Sequence, residues 1–299
     1  AHVDALVGQE LGRAHLVEED EGPDHLPLER GQGAAHLHPA QIDGAGDDQR
    51  LDGVAGECVA GLRIAYSPTL GYGRNDPQVR LASLMDHAPG QRQFQTLDQY
   101  ELYYKTKRGL SDEEFRAFVE RRQMQSAIYS DKHRHALAAI CAARGIAIAS
   151  HDDATLDHVE EAKQFNVTVA EFPTSMTAAK ASHDAGMGVL MGAPNVVRGK
   201  SHSGNIAARE LAREGVLDVL SSDYVPFSLV YAPFVLAEEI DHIDLPDAIA
   251  MVTANPARQV GLEDRGRLAP GLRADLVRVG RQDTIPVVRQ VWREGRRVA

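Results

Sequence analysis

The feature of this sequence that most constrains its fold is a repeated unit, in which a short apolar run ends in polar residues and a helical stretch follows. Five runs of this kind occur, at Val79–Met85, Ile146–Ser150, Val167–Ala170, Gly188–Met191 and Val216–Leu220. Short apolar strands separated by helices are typical of a parallel α/β sheet. The carboxyl ends of parallel strands meet at one edge of the sheet, where α/β enzymes place their chemistry.

Helical patterns fill the segments between these runs. Residues Thr96–Gln125 are polar and helical, with a capping start at Ser111, and His133–Arg144 is an amphipathic helix ended by Gly145. Further helices are predicted at Leu156–Gln164, Met176–Gly186, Leu229–Glu239 and Leu245–Val252. Two α/β architectures satisfy this pattern. One is a TIM-like (β/α)8 barrel that is incomplete at its N-terminus, and the other is an open sheet of the five visible strands.

Length and composition set the predicted domain organisation. With 299 residues, 43% of them hydrophobic, the chain can form a large α/β domain and a small appendage. We predict the large domain at residues 63–258 and a small β-module at 259–299, where short alternating strands appear and Trp292 is a natural anchor. No apolar run approaches the ~18 residues that span a bilayer, and no signal peptide is visible, so we expect no membrane partner. The sparse cysteines, Cys58 and Cys141, favour a cytoplasmic location.

Residues 1–62 differ in composition from the rest of the chain. They hold 13 acidic side chains and three arginines, which gives a net charge of −10, whereas the whole sequence has a net charge of −11. This negative charge argues against a nucleic-acid partner. They contain no Lys, Ser, Thr, Asn, Met or aromatic Phe, Tyr or Trp. Such a segment is either disordered and acidic or a misread start of the coding region, and the missing residue types favour the second interpretation. The pair His36-x-His38 follows no buried strand, so we assign it no metal role.

His151 is the strongest candidate for a metal ligand or catalytic residue. Alternation along the strand puts Ile146 and Ile148 on one face, whereas His151 shares the other face with two small alanines. Asp152 and Asp153 follow directly and can orient the imidazole. The competing interpretation is a histidine that only packs in the core.

Three other residues close predicted strands and are candidate metal ligands: His87, Glu171 and Asp223. His87 follows Asp86, and either side chain of that pair can bind a cation. Asp223 can also take a proton from an attacking water, although a helix cap is its alternative role. For Glu171 the alternative is an acidic side chain on an exposed loop.

A dense set of hydrogen-bond donors lies between the fourth run and a helix predicted to begin near Gly204. We call this segment, residues 195–205, the donor loop. Its candidate substrate-binding residues are Asn195, Arg198, Lys200, Ser201, His202, Ser203 and Asn205. Cationic side chains next to a helix N-terminus favour phosphate, although a solvated loop is the alternative.

These stretches carry a resemblance to a known family. Residues from about 78 to 299 resemble the amidohydrolase-superfamily enzymes of phosphonate catabolism, in the carbon–phosphorus lyase pathway. The matching stretches are SLMDHAPGQRQF (83–94), IASHDDAT (148–155), AEFPTS (170–175), GMGVLMGAPNVVRGKSHSGN (186–205), LDVLSSDYVP (217–226) and DRGRLAPGLRADLV (264–277). The stretch 186–205 is long and therefore the most specific of them.

The resemblance implies a metal-dependent (β/α)8 barrel with a small β-sandwich. It implies hydrolysis of α-D-ribose 1-methylphosphonate 5-triphosphate to the 5-phosphate and diphosphate, with a divalent metal, zinc, as cofactor. The resemblance also implies that the five strands are the fourth to the eighth strands of the barrel. His151 is then the metal ligand on the fifth strand, and Asp223 is the aspartate on the eighth strand. The sequence departs from the family at several points. No first-strand metal motif, no strands two and three and no N-terminal half of the small β-module are recognisable, Glu171 replaces a histidine, and Lys200 replaces a glycine.

We therefore expect a metal-dependent triphosphate hydrolase whose partner is a phosphorylated ribose phosphonate. Two alternatives remain open from the sequence. One is another amidohydrolase, such as a deaminase acting on a purine-like ring, and the donor loop argues against it. The other is an inactive phosphate-binding protein that has lost its metal.

Overall fold

The computed structural model describes residues 3–5, 62–63, 79–94, 96–201 and 204–299. The strands in this part are β1 (Val3–Ala5), β2 (Leu62–Arg63), β3 (Leu81–Ser83), β4 (Met85–Asp86), β5 (Ala147–His151), β6 (Val169–Glu171), β7 (Gly188–Gly192), β8 (Val219–Ser221), β9 (Leu276–Gln282), β10 (Ile285–Arg293) and β11 (Arg296–Arg297). The helices are α1 (Leu97–Arg108), α2 (Asp112–Arg144), α3 (Leu156–Gln164), α4 (Met176–Asp184), α5 (Ala193–Arg198), α6 (Ala208–Arg213), α7 (Ser228–Glu239), α8 (Leu245–Ala250) and α9 (Ala254–Gln259).

A five-stranded sheet in the order β3-β5-β6-β7-β8 forms the centre of the described structure. All four strand pairs are parallel, and a helix connects each consecutive pair from β5 to β8. Each strand overlaps one of the five apolar runs found in the sequence, and β5, β6, β7 and β8 each extend one residue beyond it. The five predicted strands are thus confirmed. Small and branched residues such as Ala170, Val189 and Leu211 fill the space between sheet and helices and are fully buried. The polar residues that end the strands consequently share one edge of the sheet.

The helical segment between β4 and β5 differs from the prediction. We expected a polar helical stretch over Thr96–Gln125 and a separate helix at His133–Arg144, but α2 runs without interruption from Asp112 to Arg144. Its N-cap Ser111 forms a capping box with Glu114, and no glycine or proline interrupts the 33 residues that follow. With α1 it encloses a separate aromatic cluster, made by Tyr100, Tyr104, Phe115 and Phe118.

The predicted C-terminal β-module is a four-stranded antiparallel sheet in the order β1-β9-β10-β11. Val277 and Val279 of β9 are buried against Phe234 of α7, so these residues anchor the sheet. Trp292, the anchor expected from the sequence, is only half-buried.

Val3–Ala5 supplies the edge strand of this small sheet by pairing with Val277–Val279. Cys58 and the pair His36-x-His38 lie outside the described residues, as does nearly all of the segment 1–62. The domain boundaries given above therefore stay predictions. Of the helices in the described part, none is long and apolar enough to cross a membrane.

Candidate functional site

Two histidines and an aspartate meet at the carboxyl edge of the central sheet. His151 ends β5, Asp152 follows it, and His87 follows β4. One ligand atom from each of the three side chains lies within 4.8 Å of the others. Oδ2 of Asp152 is 3.4 Å from Nε2 of His87 and 3.4 Å from Nε2 of His151. We call these three residues the metal group, because imidazole and carboxylate donors are the ligands that zinc and similar cations prefer.

The other nitrogen of His151 is held by the neighbouring strand. Nδ1 of His151 is 2.8 Å from Oε2 of Glu171, which ends β6. Glu171 in turn accepts a hydrogen bond from the fully buried hydroxyl of Ser83 on β3. A carboxylate on Nδ1 orients the ring and leaves Nε2 directed at the metal group. Three adjacent strands thus fix one imidazole.

Two buried atoms of the metal group make no hydrogen bond, and this fits a cation between them. Among the described residues, Nε2 of His87 and Oδ2 of Asp152 make no hydrogen bond, although both atoms are buried. Buried polar atoms in folded proteins are nearly always paired with protein, water or an ion. A cation between these atoms would satisfy both of them.

The charges of the metal group change the protonation of its members in the metal-free state. Burial lowers the pKa of His151, but the carboxylates of Asp152 and Glu171 outweigh it and raise that pKa to about 9. Burial also acts against the charge on Asp152, yet the positive charge of His151 holds the pKa of Asp152 below its ordinary value. Because a metal binds neutral imidazole, a proton and a cation compete for this group.

Asp223 follows β8 at the same edge of the sheet. Burial raises the pKa of its carboxyl to about 6, and the charge of Glu171 adds to the effect. Its backbone is left-handed, with φ 46°, as are those of Asp152 at 57° and Phe172 at 53°. Left-handed backbone at non-glycine residues is uncommon and collects at functional sites. It occurs here within two residues of the ends of three of the parallel strands.

The donor loop lies beyond β7, and its first half forms the short helix α5. Arg198 ends this helix, is exposed, and donates a hydrogen bond to the hydroxyl of Tyr224, the residue after Asp223. Lys200 is exposed and Ser201 is half-buried. His202 and Ser203 lie outside the described residues.

Two asparagines of the donor loop are engaged with other parts of the protein. Oδ1 of Asn195 accepts a hydrogen bond from the backbone N–H of Ala208 at 3.0 Å, at the start of α6. Nδ2 of Asn205 donates to the carbonyl of Gln93 at 3.3 Å, in the loop that also carries His87. These contacts attach the donor loop to the start of α6 and to the loop that carries His87. A substrate role for these two residues stays a prediction.

Sequence reasoning found most of this site but assigned some roles differently or missed them. His87 and His151 were predicted as ligands and do come together. Asp152 was expected only to orient His151, whereas its oxygen belongs to the metal group. Ser83 was missed, although a serine in an apolar strand was a usable signal. The structure places Glu171 on Nδ1 of His151 and Asp223 beyond β8, and the metal roles of both stay predictions.

This chain belongs to the amidohydrolase family, because the profile of that family matches residues 81–299. The match includes the whole central sheet and confirms the predicted metal-hydrolase type of α/β barrel fold. Membership of this family agrees with the presence of the metal group, whose side chains can hold a divalent cation.

The chain is similar to the α-D-ribose 1-methylphosphonate 5-triphosphate diphosphatase of Escherichia coli (strain K12). The two sequences are 51% identical over 221 residues, which are 74% of this chain and 58% of that enzyme. The chain therefore spans less than two-thirds of the length of this relative.

Solved structures with a related fold share less sequence. An amidohydrolase from Thermotoga maritima MSB8 aligns at 18% identity and a TM-score of 0.43, over 73% of this chain and 62% of its own. The N-acetylglucosamine-6-phosphate deacetylase of Pasteurella multocida aligns at 14% identity and a TM-score of 0.44, over 56% and 54% of the two chains.

Proposed function

We propose that this protein hydrolyses α-D-ribose 1-methylphosphonate 5-triphosphate to the 5-phosphate and diphosphate. The observation that carries the proposal is the 51% identity to the Escherichia coli diphosphatase over 74% of the chain. Water adds across the anhydride between the first and second phosphoryl groups, so that one P–O bond forms and one breaks. The arrangement at the edge of the sheet is suited to this reaction, since it combines cation ligands, a carboxyl of raised pKa and cationic donors.

In this proposal His87, His151 and Asp152 hold a divalent cation, and Glu171 and Asp223 complete its surroundings. Two imidazoles and a carboxylate favour zinc over the harder cations magnesium and calcium. When bound, such a cation supplies Lewis acidity to phosphoryl oxygens and acidifies water. Glu171 keeps Nδ1 of His151 occupied, so that Nε2 points into the group.

Asp223 is the proposed proton acceptor. Its pKa of about 6 keeps it largely ionised at neutral pH while leaving it more basic than an ordinary aspartate. An acceptor with a pKa near the working pH transfers protons most effectively. Its fixed position after β8 directs the carboxylate to the same edge as the metal group.

Arg198 is the proposed holder of the triphosphate. A guanidinium binds two phosphate oxygens in fork geometry, whereas the ammonium of Lys200 acts as a point charge. The Tyr224 hydroxyl accepts from Arg198, and the guanidinium carbon lies 5.9 Å from the centre of the Tyr224 ring, so Arg198 is held against the residue that follows Asp223. Ser201 and, from the sequence, His202 and Ser203 add neutral or weakly charged donors.

The test is diphosphate release from the ribose triphosphate phosphonate, followed by phosphorus NMR. We expect Arg198→Ala to lose about 2–4 kcal/mol of transition-state stabilisation, the typical effect of one strong donor on developing charge. Lys200→Gly serves as the matched control in the same loop and should have a much smaller effect, because the family has glycine there. Asp223→Asn should nearly abolish turnover while substrate still binds.

Specific outcomes would count against the proposal. If the zinc-loaded protein releases no diphosphate, the reaction is wrong for this chain. If Arg198→Ala and Lys200→Gly are equally harmless, the donor loop does not hold the triphosphate. Ammonia release from a purine-like ring would instead support the deaminase alternative.

A further inference from the structure

A chain of four charged side chains begins next to the metal group, at Asp153, and continues through Arg92. Nη1 of Arg92 donates to Oδ1 of Asp153 at 2.6 Å, and Nη2 donates to Oε2 of Glu161 on α3. Nη2 of Arg134 on α2 reaches the other oxygen of Glu161 at 2.9 Å. The four groups alternate in sign, so their formal charges cancel.

The contact between Arg92 and Asp153 is almost dry. The side chain of Asp153 is 1% exposed and that of Arg92 is 13% exposed. A carboxylate buried to this degree is stable in its ionised form only with a cation beside it.

Arg92 and Asp153 sit on the two loops that carry the metal group. Arg92 lies five positions after His87, and Asp153 directly follows Asp152. The contact therefore joins the loop after β4, which supplies the imidazole of His87, to the loop after β5, which supplies the carboxylate of Asp152.

Apart from the metal group itself, where Nε2 of His87 lies 3.4 Å from Oδ2 of Asp152, the bonds of each loop go to its own surroundings. Asp86, next to His87, accepts a hydrogen bond from Ser126 of α2 at 2.6 Å, and the carbonyl of Ala88 accepts from the N–H of Gln91 at 3.0 Å. On the other side, the carbonyl of Asp153 accepts from the N–H of Thr174 at 2.9 Å. These bonds attach the first loop to α2 and to itself, and the second loop to the segment after β6. The contact between Arg92 and Asp153 therefore joins the two loops without using a metal ligand.

We infer that Arg92 is a positioning residue, which sets the distance between His87 and the pair His151–Asp152 through its contact with Asp153. This inference rests on the metal centre proposed above. The guanidinium of Arg92 is bonded to Asp153 and Glu161, so its effect passes through the backbone of the two loops. Loss of the contact lets the loop of His87 move relative to β5 and weakens cation binding.

The experiment measures zinc affinity by competition with a chromogenic chelator, and ligand geometry by the visible absorption of bound Co²⁺. We expect Arg92→Met to lower zinc affinity about 10- to 100-fold, the usual effect of losing an outer partner of a metal ligand. The matched control is Arg134→Met, which also removes a cation from Glu161 but leaves the two loops tied. Its affinity should stay within about twofold of the unmodified protein, since its partner lies outside those loops.

A double variant keeps the test decisive if Arg92→Met fails to fold. Arg92→Met combined with Asp153→Asn removes the uncompensated buried charge while still lacking the tie. We expect it to fold, to bind zinc at least tenfold more weakly, and to show an altered Co²⁺ spectrum. Arg92→Lys gives a second measurement, because an ammonium cannot bridge Asp153 and Glu161 in fork geometry.

The inference is overturned if the double variant binds zinc as tightly as the unmodified protein. It is equally overturned if Arg134→Met weakens binding as much as Arg92→Met does. Zinc affinity is measured without the triphosphate. If the unmodified protein binds zinc but does not hydrolyse the triphosphate, only the proposed reaction is wrong. If the unmodified protein binds no zinc, both the proposed metal centre and this inference are wrong.

Discussion

Close packing between Gly192 and Asp223 sets the position of the proposed proton acceptor. A Cβ atom at position 192 would lie 2.8 Å from Oδ2 of Asp223 and 3.2 Å from its Cβ. Real Cβ atoms do not approach other atoms so closely, so any side chain at the end of β7 must push the carboxylate away. Gly192 is therefore needed for the geometry of the site rather than for a turn.

Gly192→Ala should lower kcat by about 100-fold, because a displacement of roughly 1 Å in a catalytic group has an effect of this size. The matched control is Gly188→Ala at the opposite end of the same strand. A Cβ there would meet the end of the Gln259 side chain, which can move aside. Steady-state rates of both variants give the measurement, and equal rates would contradict the assigned role of Asp223.

The protonation of His151 makes a pH-dependent contribution to stability in the metal-free protein. Its pKa is about 9 when folded, against an ordinary value of 6.5 when unfolded. A raised pKa means that the folded state binds the proton more tightly. The contribution is therefore fully present below pH 6.5 and is lost as the pH rises through about 9.

We predict that His151→Gln removes this dependence. With chelator present, the free energy of unfolding of the unmodified protein should exceed that of the variant by more at pH 6 than at pH 10. The change in that difference is at most about 3 kcal/mol, from the size of the pKa shift. Urea unfolding at several pH values measures it, and a constant difference would show that His151 is not protonated between its carboxylates.

At the scale of elements, Gly266 decides how the chain passes from α9 into the small sheet. Its φ is 93°, and a Cβ there would lie 2.8 Å from Cα of Ala254 and 3.0 Å from the carbonyl oxygen of Thr253. Both atoms belong to the backbone at the start of α9, so neither can turn aside. Gly271 has a similar φ of 86° but open space around it.

This difference gives a prediction with a matched pair of variants. Gly271→Ala should cost about 1 kcal/mol, from backbone strain alone. Gly266→Ala should cost about 3 kcal/mol or more, because the clash is added to the strain. Chemical denaturation of both variants measures these values, and equal losses would mean that the passage beside α9 is looser than described.

At the scale of the molecule, two sheets are joined through α7. Phe234 of this helix is 6% exposed and packs against Val277 and Val279 of β9. The guanidinium of Arg281 lies 5.8 Å from the centre of the Phe234 ring, and Arg281 also pairs with Glu238 of α7. The contact is thus apolar at its centre and charged at its edge.

Phe234→Ala should destabilise the protein by about 3–5 kcal/mol, the usual loss for a buried phenylalanine. Phe227, which caps the same helix, is 75% exposed. Its replacement by alanine should cost less than about 0.5 kcal/mol. Thermal or urea unfolding compares the two variants, and a similar loss in both would contradict the described packing of the small sheet.

The sequence by itself determined the parallel strands, the edge at which their polar ends meet, and two of the three members of the metal group. Strand period and apolar runs are local properties, so His151 and His87 could be assigned to strand ends without coordinates. The long stretch 186–205 likewise pointed to the family and to a donor loop.

Only the tertiary structure decided which atoms of these residues meet. Asp152 entered the metal group because its backbone is left-handed after β5, and sequence periodicity does not predict that departure. Glu171 occupies Nδ1 of His151 because β5 and β6 are paired with His151 opposite Glu171. Arg92 meets Asp153 across 61 positions of sequence, and contacts at such separation depend on how strands, helices and loops pack together rather than on any local pattern.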